Sequence, residues 1–330
     1  MKISQNPAYP AAEATLPLIV AADRNYVTGL VVTVVSAIRN LDPGWKLDIR
    51  VLDSGIGSDY QQQLQKSLAP ILGDRHALSF HPICGDLLSS FPITNTYLSP
   101  AAYARFQISE LFPDLKKAIY SDTDIIINKD LASVFKQELS TSIAACADVR
   151  GTLGNTKDAL LYNDLGFNAK APYFNSGFLI LDLERIRSLK TSERIAQLCS
   201  RAAFNPQQED QTILNVVHYQ DWTKLDPSWN RLIILSENRP RIPYREAVNY
   251  HAILKFKPWF YHRNGSYGII QQFYRYLDMT DWEKRHVDEK RYNVNFTRGA
   301  YMRRAIRMWA TEYVYQAYGA ISGKRILRRA

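Results

Sequence analysis

Residues 18–40 read LIVAADRNYVTGLVVTVVSAIRN, and this stretch decides the fold. Leu18–Ala22 is a short apolar run that stops at Asp23-Arg24-Asn25, the pattern of a buried strand that ends at a turn. Tyr26–Asn40 follows with Leu30, Val34, Val35 and Ile38 at helical spacing. Leu47–Leu52 then alternates and stops at Asp53-Ser54-Gly55, Ser58–Leu68 begins with an N-cap candidate and reads as a surface helix, and Ala77–Ile83 is a third strand. Strand, helix, strand, helix and strand in this order predict an α/β fold with a doubly wound parallel sheet. Such sheets bind nucleotides beyond the carboxyl ends of their strands, so the chemistry is expected there.

Further along, Ala101–Leu111 reads as helical, and Ser142–Ala147 and Gly177–Leu183 as strands. Thr191–Arg201 and Gln211–Val217 read as helices. Gly151–Pro172 is polar and too long for a plain connection, which suggests a lid or acceptor loop. The expected organisation is a polar lead-in over 1–16, a catalytic domain over 17–262 and a helical, basic-aromatic C-terminal region over 263–330.

The net charge of +9 is concentrated at one end. Residues 298–330 hold eight basic residues against Glu312 and contribute +7, so the rest is nearly neutral and no general nucleic-acid binder. Met302, Ile306, Trp309, Tyr313 and Ala317 share one helical face, with Arg303 and Arg307 off it. Such a helix can rest on an anionic membrane surface, pack on the catalytic domain, or bind RNA; the first is the favoured reading and no nucleic-acid partner is expected. No run is apolar enough to span a bilayer, and the N-terminus lacks a secretory pattern. Cys84, Cys146 and Cys199 are scattered, as in a reducing compartment. The expected place is the cytoplasm, peripherally against the inner face of the cell membrane.

Four elements carry chemistry. Asp122-Thr123-Asp124 interrupts an apolar run, where unpaired charge is costly, and paired oxygen ligands suit Mn²⁺ or Mg²⁺. Phe174-Asn175-Ser176-Gly177-Phe178 reads as a turn leading into a strand, able to present Asn175 to a sugar hydroxyl. Asp210 either caps the helix from Gln211 or binds sugar hydroxyls, with Gln211 near the anomeric carbon. His251 offers an imidazole to a metal, and Lys257, before Pro258-Trp259, a point charge to phosphate.

Together, in this order, these elements resemble the retaining glycosyltransferases of family 8, which include bacterial lipopolysaccharide galactosyl- and glucosyltransferases and glycogenin-like proteins. The resemblance runs from about Leu18 to Trp259. Ala21-Ala22-Asp23-Arg24-Asn25-Tyr26 resembles the family's uridine-binding first strand, placing Asp23 and Tyr26 on the uracil with Asn25 and Ala21 beside them. Tyr103-Ala104-Arg105-Phe106 resembles its donor-contacting arginine helix, and Asp122-Thr123-Asp124 its metal motif. Tyr173–Gly177 resembles the donor-sugar segment with Asn175 and Ser176, Asp210-Gln211 the catalytic pair, and His251 with Lys257-Pro258-Trp259 the closing motif.

The resemblance implies a GT-A-like mixed sheet with a Rossmann-like half. It implies a metal held by Asp122, Asp124 and His251, a UDP-sugar donor, and α-linkage of galactose or glucose to a saccharide acceptor, such as lipopolysaccharide or another lipid-linked glycan. Leu254 replaces the glycine usual three residues after the metal histidine, which implies an altered phosphate loop. A catalytically silent nucleotide-sugar or saccharide-binding protein is the alternative. A nucleotidyltransferase also uses paired aspartates but needs a Gly-rich triphosphate loop that this chain lacks.

Overall fold

A computed structural model describes residues 14–83, 100–201, 204, 206–207, 209–235, 247–253, 257–261, 263 and 268–282. Residues 1–13 of the expected lead-in over 1–16, together with Cys84, Leu254 and the basic tail over 298–330, lie outside the described residues; residues 14–16 already belong to the first strand.

The first half runs β1 (Ala14–Ala22), α1 (Val27–Arg39), β2 (Trp45–Asp53), α2 (Ser58–Leu72) and β3 (Ala77–Pro82). A 3₁₀ helix over Pro100–Gln107 and α3 (Ile108–Leu111) lead to β4 (Lys117–Asp122) and β5 (Ile125–Ile126). Then come α4 (Leu131–Phe135), β6 (Ile143–Thr152), α5 (Ala159–Asp164), β7 (Pro172–Asp182), α6 (Leu183–Ser188), α7 (Thr191–Cys199) and α8 (Glu209–Val217). β8 (Trp222–Lys224), β9 (Arg231–Ile234), β10 (Tyr250–Ile253) and α9 (Gly268–Leu277) complete the described elements.

The large sheet has the order β3-β2-β1-β4-β7-β6-β8. β1 pairs in parallel with β2 and β4, and β2 with β3, which is the parallel half expected from the sequence. β7 runs antiparallel to both β4 and β6, so the sheet is mixed. β5, β10 and β9 form a second sheet of three strands. Alternate residues of β1 explain the two-sided burial. Leu16, Leu18 and Val20 enter the core under α1, while Ile19 and Ala21 enter the core containing Tyr103, Tyr120 and Leu179.

Two fully buried polar residues on the mostly apolar α1 have a structural task. The Thr33 hydroxyl donates to the Ile125 carbonyl at 2.8 Å, and the Ser36 hydroxyl accepts from the Ile127 amide at 3.0 Å. Both are fully buried, and they tie α1 to the short strand just after the aspartate pair. Gly29 brings α1 closer still: a Cβ there would lie 2.3 Å from the Thr123 carbonyl and 2.7 Å from the Trp259 ring. The chain beyond Trp259 packs on the same helix, with Trp282 donating its indole N–H to Thr28 at 3.2 Å.

Several expectations change on inspection. Ala101–Leu111 is mostly 3₁₀ helix. Asn175–Gly177 lies inside β7, not in a turn ahead of it. The apolar run around Asp122 and Asp124 is two strands in two different sheets. Gly151–Pro172 contains a 3₁₀ turn and α5, so it is partly structured. Gly57, not Ser58, is the N-cap of α2.

His218, just past α8, is buried, and its Nδ1 has no hydrogen-bond partner. Burial pushes its pKa down to about 4, so the folded protein keeps it neutral where the unfolded chain already protonates. Its contribution to stability is therefore complete above about pH 6.5 and is lost as the pH falls toward 4. His218→Leu is expected to remove roughly 2 kcal/mol of the stability lost between pH 7 and pH 4.5, as read from urea unfolding at the two pH values.

Candidate active site

At the carboxyl ends of β1 and β4, a cavity of about 300 Å³ opens between the two sheets. Its floor holds the three predicted metal ligands. Asp122 is the last residue of β4, Asp124 sits in the hop to β5, and His251 lies in β10, paired antiparallel with Ile125. One ligand atom from each lies within 4.8 Å of the others. The His251 Nε2 is 3.2 Å from Asp124 Oδ1 and 3.7 Å from Asp122 Oδ2.

Each side chain is held. Asp122 Oδ1 accepts from Arg105 at 2.8 Å and from the Tyr120 hydroxyl at 2.8 Å, which leaves Oδ2 facing the histidine. Lys257 donates to Asp124 Oδ2 at 2.5 Å and to the Ala252 carbonyl at 2.8 Å. Burial would raise the Asp124 carboxyl, but Lys257 and His251 outweigh it and hold the group well below the carboxylate range. Asp124 Oδ1 is buried with no hydrogen-bond partner. An orphaned, ionised oxygen beside an imidazole nitrogen and a second carboxylate fits a hard divalent cation.

Gly177 of β7 explains how the ligands approach so closely. A Cβ there would lie 2.3 Å from His251 Cε1 and 2.8 Å from Asp122 Oδ2, so only glycine leaves room for both.

The donor-sugar candidates gather along the same wall. Ser176 donates from its hydroxyl to Asp210 Oδ2 at 3.0 Å, and Arg105 reaches that oxygen at 3.3 Å and the Ser176 carbonyl at 2.7 Å. The helix begins at Glu209, so Asp210 is inside its first turn, and its carboxylate serves β7 and Arg105 rather than acting as a cap. Burial pushes the Asp210 carboxyl up, Arg105 opposes this, and the nearby Asp122 adds to the rise. Gln211 Oε1 accepts from Asn175 Nδ2 at 2.9 Å and from the Ser176 amide at 3.2 Å, while its Nε2 donates to Asp148 at 3.3 Å.

Ala21, Asp23, Tyr26, Thr123 and Lys257 also line the cavity, with Tyr26 edge-on to Trp259 at 5.6 Å. Asn25 is exposed and lies outside the lining; its amide donates to Asp23 Oδ1 at 2.7 Å. Sequence reasoning missed Asp148, Arg150, Lys157 and Gln207, all of which also line the cavity. The available signal was Asp148, an acid directly after the apolar run Ile143–Ala147, which repeats the placement of Asp122.

General stress protein A of Bacillus subtilis is 25% identical over 283 residues, covering 80% of this chain and 94% of that protein. Glycosyltransferase GlyF of Streptococcus pneumoniae is 24% identical over 271 residues, covering 80% of this chain and 62% of its own length. Among solved structures, galactosyltransferase LgtC in complex with donor and acceptor sugar analogs shares the fold. Its TM-score is 0.65 at 21% identity, with 83% of this chain and 98% of that one covered. The apo structure of WbbM, a bifunctional glycosyltransferase, also gives 0.65 at 19% identity, covering 86% and 52%. The family described as Glycosyl transferase family 8 matches residues 17–263, most of the chain, and the protein is a GT-A-like glycosyltransferase belonging to that family.

Proposed function

We propose that the protein transfers a hexose, galactose or glucose, from a UDP-sugar to a saccharide acceptor with retention of the α configuration, and that transfer depends on Mn²⁺ or Mg²⁺. The observation that carries this reading is the meeting of Asp122, Asp124 and His251 around the partnerless Asp124 Oδ1. A divalent cation bound there supplies positive charge against the negative charge that develops on the departing diphosphate. Lys257, already beside Asp124, adds a fixed charge to the same end of the cavity. Asp23 and Tyr26 mark the uracil end, Asn175, Ser176 and Asp210 the donor sugar.

Arg105 is engaged with Asp122, Asp210 and two backbone carbonyls, so its task is to position those carboxylates. Gln211 is a poor nucleophile on two grounds. It is an amide, and its oxygen already accepts two hydrogen bonds. The geometry therefore favours same-face attack: the acceptor oxygen bonds the anomeric carbon as the bond to UDP breaks, and its proton passes to the departing phosphate oxygen.

We read Arg150 and Lys157, which line the cavity, as the acceptor end. Val149 and Leu160, 62% and 78% exposed, are the most exposed large apolar residues among those described and flank this end in sequence. That mixture suits a glycan attached to a lipid. No helix among the described residues is long and apolar enough to cross a membrane. Peripheral attachment at the inner face of the cell membrane would then rest on the tail. Deleting 298–330 is expected to abolish flotation with anionic vesicles while sparing UDP release from the donor in the presence of a soluble acceptor; equal flotation of both forms would remove the membrane role.

The decisive experiment measures UDP release from UDP-glucose, UDP-galactose and UDP-N-acetyl sugars, with Mn²⁺ and with chelator. Release from one hexose donor, lost on chelation, is expected. Binding of the donor without any release, under every acceptor tried, would favour the silent binding protein.

A further inference from the structure

Asn230 belongs to none of the motifs and does not line the cavity, yet it is 3% exposed directly behind the metal histidine. Its position is well braced. Asp226 caps the turn Pro227–Trp229 by accepting from the Ser228 amide at 2.8 Å, and Trp229 stacks on Phe178 with ring centroids 5.9 Å apart. Asn230 follows at the entry to β9.

The direction of every hydrogen bond around it can be deduced from one backbone amide. Gly177 N–H can only donate, and it donates at 3.0 Å to Asn175 Oδ1. That contact identifies the oxygen of Asn175, so the group reaching it at 2.8 Å from Asn230 is the donor Nδ2. The Asn230 oxygen then faces His251 Nδ1 at 3.0 Å and must accept, which puts the imidazole proton on Nδ1. The other ring nitrogen, Nε2, faces Asp122 and Asp124 and is the atom a cation there would take. On the other side, Asn175 Nδ2 donates to Gln211 Oε1, an oxygen identified independently by the Ser176 amide.

We propose that Asn230 is a positioning residue: it locks His251 in the tautomer that can ligate a cation and, through Asn175, links that ligand to the amide of Gln211 in the donor-sugar wall. This rests on the cation-site reading above. A histidine ligand whose distal N–H is fixed by a buried acceptor keeps its ring orientation and its basicity.

The test is Mn²⁺ binding to the donor-free protein, read by the loss of the free-ion electron paramagnetic resonance signal, for wild type, Asn230→Leu and Asn230→Asp. Asn230→Leu removes the acceptor and is expected to weaken binding about 10- to 100-fold. Asn230→Asp still accepts from Nδ1–H and is expected to stay within about threefold of wild type. It cannot donate to Asn175, so its donor KM is expected to rise. Wild-type affinity in Asn230→Leu, or Asn230→Asp as weak as Asn230→Leu, would overturn the proposal. Should Asn230→Leu fail to fold, ¹⁵N-histidine spectra of the metal-free wild type, recorded at a pH where the His251 ring is neutral, decide alone: the Nδ1–H tautomer supports it, and the Nε2–H tautomer refutes it. A wild type that binds no Mn²⁺ sinks the cation reading instead, and the same spectra still judge the relay.

Discussion

Asp122→Asn is expected to lower sugar transfer by roughly a thousandfold, about 4 kcal/mol of transition-state stabilisation, with the fold intact. The amide oxygen can still accept from Arg105 and Tyr120, so the local hydrogen bonds survive. Arg105 retains Asp210 at 3.3 Å, so its buried charge is not stranded. What disappears is one of two negative charges aimed at the cation, and an amide nitrogen in that place repels it. kcat/KM for UDP release at saturating Mn²⁺, together with a thermal melt, checks both halves. Near-wild-type turnover with added Mn²⁺ would mean the metal assignment is wrong.

Gly177→Ala is expected to be almost as damaging, for a steric reason. The added methyl must displace the His251 ring, the Asp122 carboxylate or β7 itself, since it would lie 2.3 Å from the ring and 2.8 Å from the carboxylate oxygen. Overpacking of this kind costs about 1–3 kcal/mol of stability. The larger consequence is misplacement of two ligands by a sizeable fraction of an ångström, enough to reduce kcat about a hundredfold. Titration with Mn²⁺ should show weaker binding in parallel. A variant that keeps both affinity and kcat would show that β7 can yield without moving the ligands.

The parallel half of the fold was legible because its signals are local. The continuous apolar run of β1, the alternation in β2 and the helical spacing of apolar residues in α1 are local features that survive in a single sequence. Strand direction has no such signature: Pro172–Asp182 is a continuous buried run whichever way it points, so its antiparallel pairing with β4 emerged only in three dimensions. The same run hid Asn175 and Ser176 as strand residues, because a polar Asn-Ser-Gly triplet ordinarily marks a turn; here neighbouring amides and Asp210 satisfy it in the core. The metal trio was read from motif order, and its side chains do converge. Asp148 and Asn230 were not read, since each is one polar residue whose partners in the site lie 21 to 63 positions away, a distance no spacing rule connects.

Asp122 ends a strand of the seven-stranded sheet, while His251 sits within the three-stranded one. Anything gripped by both is a rivet between separate layers, and its removal frees the smaller layer to shift against the larger. On the proposed cation site, chelation should therefore loosen the backbone of β9 and β10 and quicken their amide exchange before it disturbs β1 or β2, so that the same ion would set the chain's shape as well as its chemistry.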